Sequence, residues 1–190
     1  AIKWGESLGA MVSDLSAYQG HGSVATPHNI LISWAVIMQG GIQINGEGRR
    51  FCDETRGYSE QAAEVLRQPG GFVWAESIAD LATAMYVPTA AFAAEWDGVA
   101  NLKSANAQDR FGRKFLKAQG CGPPYHAVKV TGALFHTQGG LAVDSSGRVK
   151  RRNGTRFPNL FAAGGAAAGV SGSTAAGYLS GNGLLTATTL

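Results

Sequence analysis

Cysteine is nearly absent from the 190 residues. Cys52 and Cys121 stand alone, with no C-x-x-C spacing, which argues against a disulfide framework and a zinc site and for free thiols in a reducing compartment. Charge is sparse too: Asp, Glu, Lys and Arg make up 15% of the chain beside an ordinary 45% of apolar residues, so this is no disordered tail. No apolar run reaches the roughly 18 residues that a membrane-spanning helix needs. The opening AIKWGESLGAMV holds one Lys and no sustained apolar stretch, so no secretory leader is expected. The net charge of +3 is modest. Its basic residues gather at 148–156 (RVKRRNGTR), read as a solvated turn, and nucleic acid is not expected as a partner. Asn153-Gly154-Thr155 fits a glycosylation sequon, but nothing else points to secretion, and a cytoplasmic location is expected.

What the chain has in excess is glycine. Its 27 residues are about twice the usual share of roughly 7%. They follow neither a collagen period nor a linker pattern. They cluster at segment ends, where backbone turns sharply or approaches a ligand closely.

Apolar spacing predicts a helix over residues 2–15, with Gly5 and Gly9 as weak points and no cap at its abrupt start. Residues 30–38 (ILISWAVIM) form a continuous apolar run that suits a buried strand or a helix. Residues 41–51 read as two short strands, GIQIN and RRF, about a turn at 45–48. Helices are expected over 59–68, stopped by Pro69, Gly70 and Gly71, and over 76–85 and 89–102, with the break at Val87-Pro88. Residues 107–122 read as loop. Strands are expected at 126–131, 141–143 and 160–163, with a hairpin over 144–148, and a last helix over 183–190. Strands and helices are segregated in the middle, which gives an α+β cap there and pieces of an α/β domain at both ends.

Two glycine motifs bear on nucleotide chemistry. Residues 20–25 (GHGSVA) carry the letters of a dinucleotide fingerprint, but no apolar strand precedes them and Thr26-Pro27 stand where a helix should run. That reading is set aside. NLFAAGG (159–165) followed by GNGLLTA (181–187) is more telling. A short strand ending in glycines, then a glycine-flanked helix start, brings free N–H groups and a positive dipole end to one place. The same letters also suit a loop that merely turns the chain.

In sequence order, GGIQINGEGRRFCDE, PPYHAV, FHTQGGLAVD, PNLFAAGG and GYLSGNGLL resemble the closing part of the fumarate reductase and succinate dehydrogenase flavoprotein subunits and their relatives, the 3-ketosteroid dehydrogenases. The resemblance covers nearly the whole chain. It implies non-covalent FAD, with Gly164, Gly165, Asn182, Gly183 and Leu184 at the pyrimidine edge of the flavin. It also places His21 and His136, the latter directly before T-x-G-G, where the family's histidines bind substrate oxygens.

The departures from the family pattern are informative. Fumarate reductases carry a proton-donating Arg after R-F-x-x-E, relayed by an upstream Glu and Arg. Those positions hold Tyr58, Trp34 and Ile37 here, and the carboxylate-clamping Arg falls at Tyr178. Without guanidinium forks a dicarboxylate loses charge-assisted hydrogen bonds typically worth ~1.5–3 kcal/mol each. Tyr58 after Arg50-Phe51-Cys52-Asp53-Glu54 is similar instead to the ketosteroid dehydrogenases, in which such a Tyr takes part in proton removal. A phenol with an ordinary pKa near ~10 needs a neighbouring donor or cation to act so; a half-buried aromatic at a helix start is the plainer alternative. The family's A-G-E reads Ala163-Gly164-Gly165, so one carboxylate contact to the ribityl chain is lost.

The expected organisation is a remnant of an FAD-binding domain (1–27), a cap that binds substrate (28–128) and a closing FAD-binding segment (129–190). Tyr58, His21, His136 and Tyr178 form the expected catalytic group, with Trp34 and Tyr125 lining an apolar aromatic pocket. Hydride would pass between flavin N5 and a carbon of an apolar, ketosteroid-like substrate. A fumarate reductase-like dicarboxylate reductase is the alternative within the enzymes; a cofactor-free interaction domain is the alternative of another class. The other partner is a missing N-terminal FAD-binding half. Without it, the piece is expected to be inactive, to lack FAD and to self-associate through a strand edge read as parallel at 160–163.

Overall fold

The computed structural model describes residues 1–68, 73–75, 77–120, 122–179 and 181–189. The expected helix stop at Pro69, Gly70 and Gly71, the helix ends at Glu76 and Leu190, and the Cys121 thiol lie outside the described residues. The chain forms two compact units, residues 21–133 and residues 1–20 with 134–190.

In the 21–133 unit, strand β3 (Ile30–Leu31) pairs antiparallel with β2 (Tyr18–Ala25), through Val24 with Leu31 and Ala25 with Ile30, in a sheet of order β3-β2-β6, where β6 is Val130–Thr137. Helices α2 (Ala35–Met38) and α3 (Tyr58–Leu66) follow. Strand β4 (Val73–Ala75) pairs antiparallel with β5 (Tyr125–Ala127). Helix α4 (Ile78–Ala84) is capped by Ser77, whose hydroxyl accepts from the Asp80 amide at 3.1 Å. Helix α5 (Thr89–Ala105) ends at Asn106 in the left-handed region (φ 50°), a stop that a short polar side chain tolerates. Leu81, Ala82, Met85 and Phe92 form the core between α4 and α5, with Trp96, Tyr125 and Ile44 against it.

The other unit begins with α1 (Ile2–Ser7), half the helix expected over 2–15. Gly9 at φ +83° turns the chain, and Met11 then donates to the Lys150 carbonyl as in a strand. Strand β1 (Val12–Ser13) pairs with β7 (Gly140–Leu141), and β8 (Arg148–Lys150) with β9 (Arg156–Phe161), all antiparallel. Asp144 closes the turn between β7 and β8: its N–H donates to Arg148, its carboxylate accepts from the Ser146 and Arg148 amides, and these bonds hold its pKa below the usual value. Short 3-10 turns occupy Gly164–Ala166 and Ala175–Gly177, and α6 (Asn182–Thr189) closes the unit. Ala10, Leu141, Val149, Phe157, Ala162 and Ala167 make its core.

Two expectations are corrected. The strand expected at 160–163 starts earlier, at Arg156, and is antiparallel: Arg151 N–H reaches Thr155 O at 2.7 Å, and so short a return cannot supply the crossover a parallel pair requires. Residues 41–51 form a turn, with Asn45 N–H on Arg49 O at 2.9 Å, and not two strands. The Gln43 amide donates to the Glu54 carboxylate and so is not available to a ladder. Gly20–Ala25, whose fingerprint letters were set aside, lies within β2 and is no phosphate loop.

Candidate active site

Within residues 21–133, three of the expected residues meet. His21 on β2, Trp34 just before α2 and Tyr58 at the first position of α3 form an aromatic cluster. The His21 and Tyr58 rings are stacked, with centroids 5.4 Å apart and planes 13° apart. Trp34 stands edge-on to both, at 5.9 Å from Tyr58 and 6.1 Å from His21. The close approach depends on Gly22: a Cβ there would sit 3.1 Å from the backbone of Gln61 on α3. His21 is buried while Trp34 and Tyr58 are half-buried, so the cluster reaches the surface. The Ser23 amide donates to His21 Nδ1 at 3.2 Å, which leaves the proton of the neutral ring on Nε2. Burial lowers the His21 pKa and favours that neutral form.

A network of buried charges supports this cluster. Glu54, fully buried, accepts from Arg50 at 2.8 and 2.6 Å and from Arg113 at 2.7 Å. Arg50 also reaches Asp109, and Arg113 holds the carbonyls of Ile37 and Gly41, both at 2.9 Å. Burial works against the Arg50 charge, but hydrogen bonds and attraction from Glu54 and Asp109 outweigh it and raise the pKa. Burial, with the Glu54 charge adding to it, pushes the Cys52 thiol up to about 12, so that it is a weak nucleophile at neutral pH. The sequence signal for this network was Arg50 and Glu54 four residues apart; its partners Asp109 and Arg113 lie in what reads as plain loop.

Tyr125 takes a different place from the one expected. It packs edge-on against Trp96 at 5.2 Å on the α4–α5 core, because β5 pairs with β4 above those helices. The same unit holds a cavity of about 520 Å³ walled by Ile32, Val36, Ile44, Met85, Phe92 and Trp96. Ser23 and Ser33, sequence neighbours of His21 and Trp34, line it; the three clustered rings do not.

Within the other unit, His136 and Tyr178 meet edge-on at 5.7 Å. The Gln138 carboxamide nitrogen lies 2.6 Å from His136 Nε2 and, donating there, leaves the ring proton on Nδ1. A Cβ on Gly183 would stand 3.7 Å from His136 Nε2, so the imidazole faces the start of α6. Gly164, at φ +54°, lies against α6, where its Cβ would come 3.3 Å from that of Ala187. The first bond into α6 runs from Leu185 N–H to Gly181 O at 3.0 Å. The amides of Asn182, Gly183 and Leu184 precede it and have no acceptor within the helix. Apart from its chain neighbours, no atom of the described residues lies within 4 Å of the place a Cβ would take on Gly165. Leading amides, a dipole end and open backbone fit the electron-rich edge of a flavin ring. Gly165 has no side chain for the carboxylate contact the family makes there.

Residues 1–184 match the family described as an FAD binding domain, and the chain belongs to that family. Among its relatives is a probable fumarate reductase, Ifc3, of Shewanella frigidimarina, 26% identical over 192 residues, covering 88% of this chain and 33% of the relative. An NADH:fumarate oxidoreductase of Klebsiella pneumoniae is 25% identical over 193 residues, covering 88% of this chain and 21% of its own length. The fold resembles the open conformation of a flavocytochrome c3 fumarate reductase (TM-score 0.72, 23% identity, 96% of this chain and 36% of that one). It also resembles the 3-ketosteroid delta1-dehydrogenase of Sterolibacterium denitrificans in complex with 1,4-androstadiene-3,17-dione (TM-score 0.70, 20% identity, 99% and 44%). The chain spans a third or less of the length of these first and last curated relatives. No helix among the described residues is long and apolar enough to cross a membrane.

Proposed function

We propose that the chain is the cap and closing segment of an FAD-dependent oxidoreductase that dehydrogenates or reduces a C–C or C=C bond of an apolar, uncharged, ketosteroid-like substrate. The observation that carries this is the Tyr58–His21–Trp34 cluster, which has a phenol where a dicarboxylate reductase needs a guanidinium. Of the two buried guanidinium groups among the described residues, Arg50 is taken up by Glu54 and Asp109, and Arg113 by Glu54 and the carbonyls of Ile37 and Gly41. Neither is available to a substrate carboxylate. A neutral His21 with its proton on Nε2 suits a carbonyl oxygen better than an anion.

FAD, when bound, supplies the hydride acceptor or donor. Gly164, Gly165, Asn182, Gly183 and Leu184 would hold its ring edge through backbone groups. The Tyr58 phenol would hold or release the proton at the reacting substrate carbon, and His21, His136 and Tyr178 would bind or polarise substrate oxygens. Trp34 would wall the apolar end, and Tyr125, seated on Trp96, would act there only at second hand. In this reading residues 28–128 are the cap and residues 1–27 and 129–190 belong to the FAD-binding domain. The N-terminal half of that domain is the other partner, and the piece without it is inactive, binds no FAD and self-associates. The Cys52 thiol, free of any disulfide, supports a cytoplasmic location.

Steady-state assay of the full-length protein tests the proposal. Turnover of a 3-ketosteroid with an artificial electron acceptor is expected, reduced about 10²–10⁴-fold in Tyr58→Phe. Fumarate reduction without steroid turnover would overturn it in favour of the dicarboxylate reading, on whose side stand the names of the relatives. A complete reading frame with no dinucleotide-binding start would favour a cofactor-free interaction domain instead.

A further inference from the structure

The stacked His21 and Tyr58 rings sit on different elements, β2 and α3, and the link between those elements is a buried carboxamide. Gln43 Nε2 donates to Gly22 O at 2.9 Å and to Ser23 Oγ at 3.0 Å, gripping β2 on the two residues after His21. Its Oε1 accepts from Gln61 Nε2 on α3, one turn beyond Tyr58. Its own amide donates to Glu54 Oε1 at 3.1 Å, which ties the residue to the Arg50–Glu54–Arg113 network. Gln43 and Gln61 are both buried, and Gln61 Oε1 has no partner, so the Gln61 carboxamide is held through its nitrogen by Gln43. Gly22 removes the side chain that would keep α3 away from this grip.

We propose that Gln43 is a positioning residue, whose carboxamide joins β2 to α3 and thereby holds the His21 imidazole face to face with the Tyr58 phenol. It touches neither ring's reacting atom; it sets the distance and parallel orientation of the two. An apolar residue of similar size would leave the Gly22 carbonyl and the Gln61 amide buried without partners, and these would be satisfied only by separating strand from helix. The catalytic meaning of the pair rests on the function proposed above. The geometric claim does not.

The test is nuclear magnetic resonance of the full chain with labelled His, Tyr and Trp, comparing wild type with Gln43→Leu. The wild type is expected to show Overhauser contacts between the His21 and Tyr58 rings and an upfield ring-current displacement of the His21 protons. In Gln43→Leu both are lost, while the contacts of Trp96 with Tyr125 in the α4–α5 core persist. Where Gln43→Leu does not fold, Gln61→Met removes the donor on the other side of the same link and is judged by the same signals. Unchanged His21–Tyr58 contacts in the folded variant overturn the proposal. In the full-length FAD-loaded protein, Gln43→Leu is expected to lower kcat on a 3-ketosteroid by about 10²-fold with little change in KM. Absence of steroid turnover in the wild type would overturn the functional reading alone, and the ring contacts would still decide the role of Gln43.

Discussion

Residues 21–133 carry a network of buried charges and carboxamides, while the smaller unit, residues 1–20 with 134–190, carries the larger share of the exposed large apolar side chains among the described residues. In the first unit a buried glutamate takes two arginines, one of which takes a buried aspartate, and two glutamines join strand to helix. In the second, Trp4, Leu134, Phe161, Leu179 and Leu184 are 56% or more exposed, and the leading amides of α6 have no helical acceptor. Single exposed apolar residues mean little, but a small unit that shows this many presents a surface suited to contact with another surface. The difference divides the proposed roles: the unit with the buried network carries the aromatic cluster, and the other carries Gly164, Gly165 and Gly183 of the proposed flavin edge.

The comparison can be broken most forcefully at Glu54. Glu54→Leu leaves two buried guanidinium groups without their shared carboxylate and is expected to cost about 3–5 kcal/mol in urea unfolding. Asp144→Asn in the other unit removes a half-buried charge paired with Arg156 but keeps an oxygen for the Ser146 and Arg148 amides, and should lower the urea midpoint far less. Equal effects would show that the units do not differ in the way described. Next in size is Gly22→Val, which drives a side chain into the Gln61 backbone and is expected to cost about 1–3 kcal/mol. Gly165→Ala, which meets open space, should stay within about 0.5 kcal/mol and act only on FAD affinity in the full-length protein.

Acid sharpens the contrast more gently. The folded pKa of His21 lies below its unfolded value, so the unfolded chain takes up its proton first. The stability this residue contributes is present above the ordinary imidazole value of 6.5 and is lost as pH falls through the folded pKa. The unfolding free energy should therefore fall below that pH, with a slope under the one-proton limit of about 1.4 kcal/mol per pH unit, and His21→Phe should flatten it. The smallest effect on folding is expected at the exposed wall: Leu184→Lys should change stability by less than about 0.5 kcal/mol yet reduce self-association in sedimentation. A chain already monomeric would contradict that expectation.

Much of this was legible in the sequence where local chemistry decides. Strong helix formers placed α3 and α5 within a few residues of their observed spans, and the turn letters of 144–148 gave the hairpin. The pattern of motifs placed His21, Trp34 and Tyr58 in one site before any geometry linked them. What stayed hidden depends on contacts distant in sequence. No strand was expected at β2, whose Gly22 serves Gln61, 39 residues away on α3. Gln43 sits within an apolar run, and only the position of Gln61 explains why a carboxamide belongs there. Tyr125 could be read as a pocket residue or as plain packing, and the sequence does not show the β4–β5 pairing that sets it on Trp96.

The most direct test of the central claim is the visible spectrum of the full-length, FAD-loaded protein kept free of oxygen. Adding a saturated 3-ketosteroid should bleach the flavin band in the wild type and leave it intact in Tyr58→Phe. A band that ignores the steroid in both proteins, yet returns on adding fumarate after chemical reduction, would contradict the account.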